Sequence, residues 1–422
     1  MNPVSRHYVL AAGGTGGHIT PAFALAHALE RRGHHVALIT DERGAAIPGK
    51  PDFLTTHVLP AGRFTKNPLG WPKAIRAVLE GRRMARQLYD AFAPTAVVGF
   101  GGYPALPALF AARSAGIACV IHEQNAVLGR VNRLFAGRVN AIATAYPEVD
   151  RLKDKYRGKT HLVGNPVRPN VLALRDQPFP PFTADGLLRV LVTGGSQGAS
   201  ILSEIVPDGL AMLPPALRGR LQVTQQCRPE DLEAVRARYA QYGIPAELAT
   251  YFEDMVATLA DAHLFIGRAG ASTIAELTAV GRPAILIPLP LATDDHQSAN
   301  TREMVAAGGA RMIRQPMITV QAADDYRGDK ANEVRSRQAD AVQKLAKDVC
   351  RQIQAMAQHP ETLATAAHAA WNCGRPDAAE KLADLVEGFG GAPMQDVIRV
   401  GAQAARSSAQ AQTAAASRDN AK

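Results

Sequence analysis

The stretches YVLAAGGTGGH (Tyr8–His18) and RVLVTGGSQGA (Arg189–Ala199) decide the fold. Each begins with an apolar run long enough for a buried strand, and each continues into two glycines, a hydroxyl residue and a further glycine. A glycine-rich turn between a strand and a helix is typical of the first βα unit of a doubly wound domain. Because the pattern occurs twice, the sequence predicts two such domains.

Further apolar runs predict a parallel sheet in each half of the chain. They are Tyr8–Ala11, Val36–Thr40, Ala96–Phe100, Cys119–His122 and Ala141–Ala145, then Arg189–Thr193, Leu221–Thr224, His263–Ile266 and Ala284–Ile287. Amphipathic segments separate these runs, and that alternation is typical of parallel sheets covered by helices on both faces. Ligands of such domains bind at the carboxyl ends of the strands, so we expect a site in the cleft between the domains.

The composition fits a globular protein with an anionic partner. With 422 residues, 47% of them hydrophobic, the chain is long enough for two sizeable cores. Its four cysteines are far apart and include no CxxC pair, which argues against a disulfide framework and fits a reducing compartment. No signal peptide is visible. The formal net charge of +9 indicates a nucleotide, nucleic acid or anionic lipid as partner.

His18 follows the first glycine turn, where a helix is expected to begin. Backbone N–H groups at such a position form an anion site, assisted by the helix dipole. A dinucleotide fingerprint would place its third glycine where Ile19 stands, and Asp41 after the second strand could be its ribose-binding acid. A dehydrogenase therefore stays open at this point, as does a capping or packing role for His18.

Polar residues also gather after later strands. His122–Asn125 (HEQN) follow an apolar run and either line the ligand crevice or tie the loop down by hydrogen bonds. Glu276, in GRAGASTIAEL (Gly267–Leu277), either accepts the hydroxyls of a ribose or is a favourable charge near a helix N-terminus. Asp294–Gln297 (DDHQ) have too few partners for a closed metal site, so donors to sugar hydroxyls are the better interpretation.

Taken in order, the motifs resemble those of the MurG family of bacterial glycosyltransferases. They are AGGTGGH (Ala12–His18), GFGGYPALP (Gly99–Pro107), HEQN, GNPVR (Gly164–Arg168), TGGSQGA (Thr193–Ala199), RAGASTIAE (Arg268–Glu276) and DDHQ. The resemblance implies an α/β fold in the GT-B arrangement, with two Rossmann-like doubly wound domains and an inter-domain cleft. It also implies inverting transfer of N-acetylglucosamine (GlcNAc) from UDP-GlcNAc to the C4 hydroxyl of the muramyl sugar of lipid I, giving lipid II. The alternative is another GT-B enzyme of UDP-sugars, such as a lipid glycosyltransferase or a UDP-GlcNAc epimerase.

The expected domain organisation follows from the linker and the motifs. Residues 1–170 form the acceptor- and membrane-facing domain, completed by a helix near 376–390, and a proline-rich linker spans 171–186. Residues 187–375 form the UDP-GlcNAc domain, in which the charged segment near 322–348 begins as a loop and becomes an exposed helix. Residues 391–422, mostly Ala, Ser, Gln and Arg near their end, are expected to be a disordered tail.

The resemblance also implies site residues. Those expected to contact UDP-GlcNAc are Thr15, Gly16, Gly17, Asn125, Arg168, Ser196, Phe252, Ala271, Ser272, Thr273, Ile274, Ala275, Glu276 and Gln297. Glu276 would bind the ribose, and Arg168 and Ser196 the nucleotide and its phosphates. His18 is the hypothesis for the catalytic base, since imidazole titrates near neutral pH, and Glu123 is the alternative. Thr20 departs from the aromatic residue of some relatives, and no cofactor or metal is expected.

The segment before the apolar run Ala96–Phe100 predicts a membrane-facing helix. Trp71, Ile75, Leu79, Arg82 and Arg86 form an apolar and basic stripe that suits anionic lipid headgroups. The core face of the same helix is expected at Val78, Ala85, Leu88, Tyr89 and Phe92, and an ordinary solvated helix is the alternative. Because the acceptor that the resemblance implies is lipid-linked, we expect a peripheral enzyme on the cytoplasmic face of the bacterial plasma membrane. Its partners would be lipid I, the anionic membrane surface and other cell-wall synthesis or division proteins, with no nucleic acid.

Overall fold

The computed structural model describes residues 5–62, 70–195, 198–252, 254–320 and 329–389. The first half contains a seven-stranded parallel sheet in the order β3-β2-β1-β4-β5-β6-β7. Its strands are β1 (His7–Ala12), β2 (His35–Thr40), β3 (Thr55–Val58), β4 (Ala96–Gly101), β5 (Ala118–Glu123), β6 (Ala141–Thr144) and β7 (Thr160–Leu162). Its helices are α1 (Gly16–Arg31), α2 (Glu42–Ala45), α3 (Trp71–Phe92), α4 (Ala105–Ser114) and α5 (Arg130–Phe135).

The second half contains a six-stranded parallel sheet in the order β10-β9-β8-β11-β12-β13. The strands are β8 (Leu188–Thr193), β9 (Leu221–Gln226), β10 (Ala246–Ala249), β11 (Leu264–Gly267), β12 (Ala284–Leu286) and β13 (Ala310–Met312). The helices are α6 (Pro169–Leu172), α7 (Ser200–Ala211), α8 (Pro215–Arg218), α9 (Leu232–Gln241), α10 (Met255–Asp261), α11 (Ala271–Ala279), α12 (His296–Asn300), α13 (Arg302–Ala306), α14 (Asp329–Ala357), α15 (Pro360–Asn372) and α16 (Ala378–Glu387).

The strand order places a topological switch point in each sheet. β1 lies between β2 and β4, and β8 lies between β9 and β11. The strand order therefore extends in opposite directions from β1 and from β8, and the switch point lies at the carboxyl end of each of these two strands. The two glycine turns follow these two strands. The prediction of two Rossmann-like doubly wound domains is confirmed, and so is the position of every apolar run as a strand.

Four strands were not predicted, and all four are the outer strands of their sheets. They are β3, β7, β10 and β13, with the sequences TTHV, THL, AELA and ARM. An outer strand has one neighbour and is partly exposed, so it does not need the continuous apolar run of a central strand. That is why the pattern of apolar residues missed them.

Helices cover both faces of the first sheet. On one face α1 and α16 pack over the strands through side chains such as Leu25 and Leu382. On the other face α3, α4 and α5 contribute Tyr89, Leu109 and Phe135. The chain therefore returns at its described end to the first domain, where Arg32, directly after α1, pairs with acidic side chains of α16.

The charged segment is helical from residue 329, as expected, but one face of the helix is buried. Residues 329–357 form a single helix, α14, and Leu345, Val349 and Ile353 on one face are fully buried in the second core beside α7. The expectation of an exposed helix is therefore wrong for that face, because an apolar residue recurs at helical spacing among the charges. Residues 321–328, the expected tail 391–422 and Ser196 lie outside the described residues.

Candidate active site

The two switch points face each other across a cleft. A cavity of about 740 Å³ lies between them, and Thr15, Gly16, Gly17 and His18 line it from the first domain. From the second domain it is lined by residues of the β8–α7 turn, the start of α11 and the segment around Gln297. The sequence motifs that were expected to meet at a cleft therefore do so. Thr20, which departs from some relatives, also lines this cavity.

Three helices begin at the wall of this cavity. They are α1 at Gly16, α7 at Ser200 and α11 at Ala271, and the residues that cap them, Thr15, Ala199 and Gly270, make no side-chain capping hydrogen bond. Their first backbone N–H groups are thus available to an anion in the cavity. Ser272 adds a hydroxyl that is buried and has no hydrogen-bond partner within the described residues, which is what a contact to a bound phosphate would require.

Two arginines that were not among the expected site residues also line the cavity. Arg268 follows β11 directly, and Arg228 follows β9 by two residues. Burial, with repulsion from Arg228, lowers the pKa of Arg268 to about 10, so the side chain keeps its charge at neutral pH. Its guanidinium donates to the side-chain oxygen of Gln315 at 2.7 Å. Both arginines are polar residues that follow a strand. The same pattern led to the prediction for HEQN, and it could have identified these two arginines as well.

The expected ribose acid Glu276 is held by the expected phosphate ligand Arg168. The guanidinium Nε donates to the carboxylate oxygen Oε1 at 3.0 Å, and Nη2 lies 2.8 Å from the same oxygen in an ion pair. Burial raises the pKa of Glu276, and the charge of Arg168 opposes that shift. Neither side chain lines the large cavity, and neither does Phe252, which is 8% exposed. Several of the donor residues predicted from sequence therefore line the large cavity, whereas Arg168, Glu276, Phe252, Ile274 and Ala275 do not.

A second, smaller cavity opens beside the first. It measures about 250 Å³ and is lined by the β4 turn at Gly101–Tyr103, by Arg130 on α5 and by Asp294 and His296 of the second domain. His18, Asn125 and His296 line both cavities, so they lie where the two meet. Two substrates bound in neighbouring cavities would come together at these three side chains.

His18 is held by two glycines and one glutamine. A Cβ atom added at Gly101 or Gly102, both of positive φ, would lie 3.3 or 3.5 Å from a ring carbon of His18, so the β4 turn packs closely on the ring. The Nδ1 atom of His18 lies 3.0 Å from the side-chain oxygen of Gln124. The sequence also left open that His18 caps its own helix. That prediction is wrong, because α1 begins at Gly16 and its cap is Thr15.

Glu123, the alternative base, has both carboxylate oxygens occupied. Oε1 accepts from the backbone N–H and the side-chain amide of Asn125 at 3.1 and 3.2 Å. Oε2 accepts from the backbone N–H of Gly129 at 2.7 Å and from the side-chain amide of Asn132 at 2.9 Å. The side chain is 2% exposed. It ties down the loop after β5, the second interpretation that the sequence left open.

The two domains touch beside the cavities. Asn300, which is fully buried, accepts from the backbone N–H of Ala126 at 2.8 Å and donates to the side-chain oxygen of Asn125 at 3.1 Å. Asp294 pairs with two arginines of the first domain, Arg133 at 3.0 Å and Arg151 at 3.1 Å. Of the DDHQ residues, His296 and Gln297 line the large cavity, and the side-chain oxygen of Gln297 accepts from the backbone N–H of Leu289 at 2.9 Å.

Asp41, the acid that a dinucleotide site would use, is engaged in hydrogen bonds and an ion pair within the first domain. One carboxylate oxygen accepts from the backbone N–H of Gly14 at 3.1 Å and from that of Gly44 at 2.9 Å, where it caps α2. The other oxygen pairs with Arg43. The side chain therefore supports the first glycine turn and its neighbouring helix, and the turn itself opens to the cleft.

Two doubly wound domains whose glycine turns face each other across a polar cleft form the GT-B arrangement, which is the fold of many glycosyltransferases. The chain matches the glycosyltransferase family 28 N-terminal domain over residues 8–144 and the family 28 C-terminal domain over residues 189–349. Two bacterial relatives carry the same name, UDP-N-acetylglucosamine--N-acetylmuramyl-(pentapeptide) pyrophosphoryl-undecaprenol N-acetylglucosamine transferase. The protein of Erythrobacter litoralis is 70% identical over 97% of this chain and 96% of its own length. That of Novosphingobium aromaticivorans is 69% identical over 98% of this chain and its entire length.

The crystal structure of MurG from Acinetobacter baumannii superposes with a TM-score of 0.67 at 26% identity, covering 91% of this chain and 99% of that one. The chain belongs to the MurG family of N-acetylglucosaminyltransferases. The family assignment inferred from the motifs is thereby confirmed.

Proposed function

We propose that this protein transfers GlcNAc from UDP-GlcNAc to the C4 hydroxyl of the muramyl sugar of lipid I, forming lipid II. The observation that carries the proposal is the near full-length identity to transferases of that name, joined to a cleft with two adjoining cavities. The larger cavity is suited to the sugar nucleotide, because three helix N-termini and two arginines supply positive potential for its diphosphate. The smaller cavity would take the acceptor sugar.

The reaction in this proposal is a single displacement. The acceptor hydroxyl attacks the anomeric carbon from the face opposite UDP, the new C–O bond forms as the bond to the β-phosphate oxygen breaks, and UDP leaves with the electron pair. The configuration at the anomeric carbon inverts from α to β. His18 takes the hydroxyl proton, since it lies where both cavities meet. Arg268, Arg228 and the helix N-termini stabilise the charge that develops on the leaving diphosphate.

The residues carried over from the family are assigned accordingly. Asn125 contacts the donor sugar from the first domain, and Gln297 contacts it from the second. Glu276 accepts the ribose hydroxyls through Oε2, because Arg168 donates to Oε1 and so orients the carboxylate. The α11 residues from Ala271 to Ala275, with Ser196 and Arg168, contact the phosphates or the nucleoside. Phe252 reads the uracil through its backbone.

Transfer of labelled GlcNAc from UDP-GlcNAc to a short-chain lipid I analogue tests the activity directly. We expect the wild-type protein to form lipid II analogue, and His18→Ala to lose turnover by about 100-fold or more at saturating donor, the size of a general-base contribution. A wild-type protein that binds UDP-GlcNAc but yields no disaccharide would contradict the proposal. Near-normal turnover of His18→Ala would remove His18 as the base.

The membrane part of the proposal rests on α3. Trp71, Ile75 and Leu79 are 47%, 49% and 57% exposed on this helix, and Arg82 on the same side is exposed. Arg86 lies within 3.3 Å of Asp90, which reduces its share of the positive charge. Within the described ranges, no helix is long and apolar enough to cross a membrane. We propose that this face rests on anionic lipid at the cytoplasmic side of the plasma membrane, where lipid I and other cell-wall synthesis or division proteins would meet the enzyme.

Vesicle flotation tests the α3 face. The double variant Ile75→Ser, Leu79→Ser should lose binding to liposomes that contain anionic lipid, because burial of both side chains in the interface is removed. A matched control is Leu187→Ser, Met212→Ser, which replaces side chains of similar exposure, 53% and 43%, in the second domain. Equal flotation of the two double variants would contradict the assignment of α3.

A further inference from the structure

A chain of hydrogen bonds runs from the backbone of Gly164 to the ring of His18. His122 Nε2 lies 2.8 Å from the carbonyl oxygen of Gly164. The side-chain nitrogen of Gln124 lies 2.9 Å from His122 Nδ1, and its oxygen lies 3.0 Å from His18 Nδ1. The middle members are out of water, with His122 fully buried and Gln124 1% exposed.

The direction of the chain is fixed at its buried end. A carbonyl oxygen only accepts, so His122 must carry a proton on Nε2 to bond with Gly164. Burial lowers the pKa of His122 to about 4, with a further contribution from His18, so the ring is neutral at physiological pH. A neutral imidazole carries one N–H, and His122 Nδ1 is therefore an acceptor.

The orientation of Gln124 follows from that acceptor. Its side-chain nitrogen faces two acceptors of His122, Nδ1 at 2.9 Å and the backbone carbonyl oxygen at 3.1 Å. The reverse orientation of the amide would place its oxygen against both of them and lose both bonds. The amide oxygen must therefore face His18, where it accepts, and the proton of neutral His18 resides on Nδ1.

We propose that Gln124, oriented by His122, is a positioning residue that holds His18 in the Nδ1–H tautomer. The lone pair is then on Nε2, the ring nitrogen that Gln124 does not occupy. In water the opposite tautomer of a histidine side chain is the more populated, and it would turn an N–H towards the acceptor hydroxyl. The inference rests on the proposed role of His18 as the base.

The anchor of the chain lies in a constrained segment. Gly164 has a φ of +97°, and a Cβ atom there would lie 2.7 and 2.9 Å from the side chains of Arg375 and Ala378. The same GNPVR segment continues to Arg168, which holds Glu276. The carbonyl that sets the tautomer is therefore fixed by packing against the start of α16, which covers the first sheet, and the chain of bonds does not depend on a mobile side chain at its start.

The tautomer can be observed directly in ¹⁵N-histidine-labelled full-length protein. Two-bond ¹H–¹⁵N correlations at mildly alkaline pH distinguish a protonated Nδ1 from a protonated Nε2, and loss of one set of signals in His18→Gln assigns His18. We expect wild-type His18 to show Nδ1–H, and Gln124→Met, which can neither accept nor donate as the amide does, to shift it towards Nε2–H. The control Gln358→Met, at an exposed position, should leave the spectrum of His18 unchanged.

Steady-state kinetics provide the second reading. Gln124→Met should lower kcat by about 100-fold with KM for UDP-GlcNAc unchanged within about twofold, because the base is misoriented and the donor cavity is not. An Nε2–H tautomer in the wild-type spectrum would overturn the inference, and so would an unchanged kcat in Gln124→Met. A wild-type protein that shows Nδ1–H but transfers no GlcNAc would instead contradict the proposed function alone.

Discussion

Replacement of Glu123 by glutamine separates the two roles that the sequence allowed for this carboxylate. Its two oxygens accept four hydrogen bonds from Asn125, Gly129 and Asn132. Glutamine has the same shape but presents an NH₂ group in place of one oxygen. Either orientation sets that donor against two donors, so two of the four bonds are lost and two buried N–H groups remain unpaired.

The cost can be calculated from these bonds. A hydrogen bond to a charged group contributes about 1.5–3 kcal/mol, so loss of two should destabilise the β5–α5 loop by about 3–6 kcal/mol. The lower figure corresponds to an increase of about 100-fold in the population of the opened loop. Because Asn125 lines both cavities, a loosened loop should also reduce turnover.

Hydrogen exchange with mass spectrometry measures the effect at the residues concerned. We expect the backbone N–H groups of Asn125 and Gly129 to exchange about 100-fold faster in Glu123→Gln, if the loop opens locally. Glu233→Gln is the matched control, since the Glu233 side chain is 82% exposed and its replacement should change stability by no more than about 0.5 kcal/mol. Unchanged exchange at both amides together with lost turnover would refute this reasoning and favour Glu123 as the base.

Three further outcomes follow from the geometry. Gly102→Ala (φ +74°) would place a Cβ atom 2.7 Å from a backbone oxygen, so it should lower both the urea midpoint and kcat. The control Gly116→Ala (φ +71°) meets no atom within 4 Å and should cost only the backbone strain of about 1–2 kcal/mol, so its effects should be smaller. Burial lowers the pKa of His122 and of His263 to about 4. In this pH range the unfolded chain therefore binds more protons than the folded one. The free energy of unfolding should fall between about pH 6.5 and pH 4, by up to about 3 kcal/mol per histidine. Urea midpoints measured at pH 7 and pH 5 would show this decrease. Asp294→Asn should lower the free energy of unfolding by no more than about 2 kcal/mol, because its two ion pairs with the first domain are partly exposed. It should also raise KM for the acceptor analogue more than KM for UDP-GlcNAc, because Asp294 lines the smaller cavity. Equal changes in the two KM values would contradict that placement.

The central strands and the glycine turns were predictable because their physical requirements are local. A strand buried on both faces needs a continuous apolar run, as in Val97 and Val98 of β4, and a tight turn of positive φ needs glycine, as at Gly14 and Gly195. The outer strands carry no such requirement. α14 was misjudged for the opposite reason, since its many charges concealed the buried stripe that includes Val349.

Within the candidate site, sequence could indicate which residues gather but not which of them reach the ligand. HEQN reads as four equivalent polar residues after a strand, yet the structure gives each a different partner. His122 bonds to Gly164, Glu123 holds the loop and lines the smaller cavity, Gln124 holds His18, and Asn125 lines both cavities. Those partners come from distant parts of the chain, and no spacing within the motif encodes them.

His18 and Asn125, two of the three side chains at the junction of the cavities, have different supports. His18 is fixed from within the first domain, by Gln124 and the β4 turn. Asn125 is fixed from both domains, because Glu123 accepts its amide and Asn300 of the second domain donates to its oxygen. A change in the angle between the domains would therefore move Asn125 relative to His18 or break the bond to Asn300. The contact geometry needed for transfer is thus tied to one relative placement of the domains, and the orientation of the base is not.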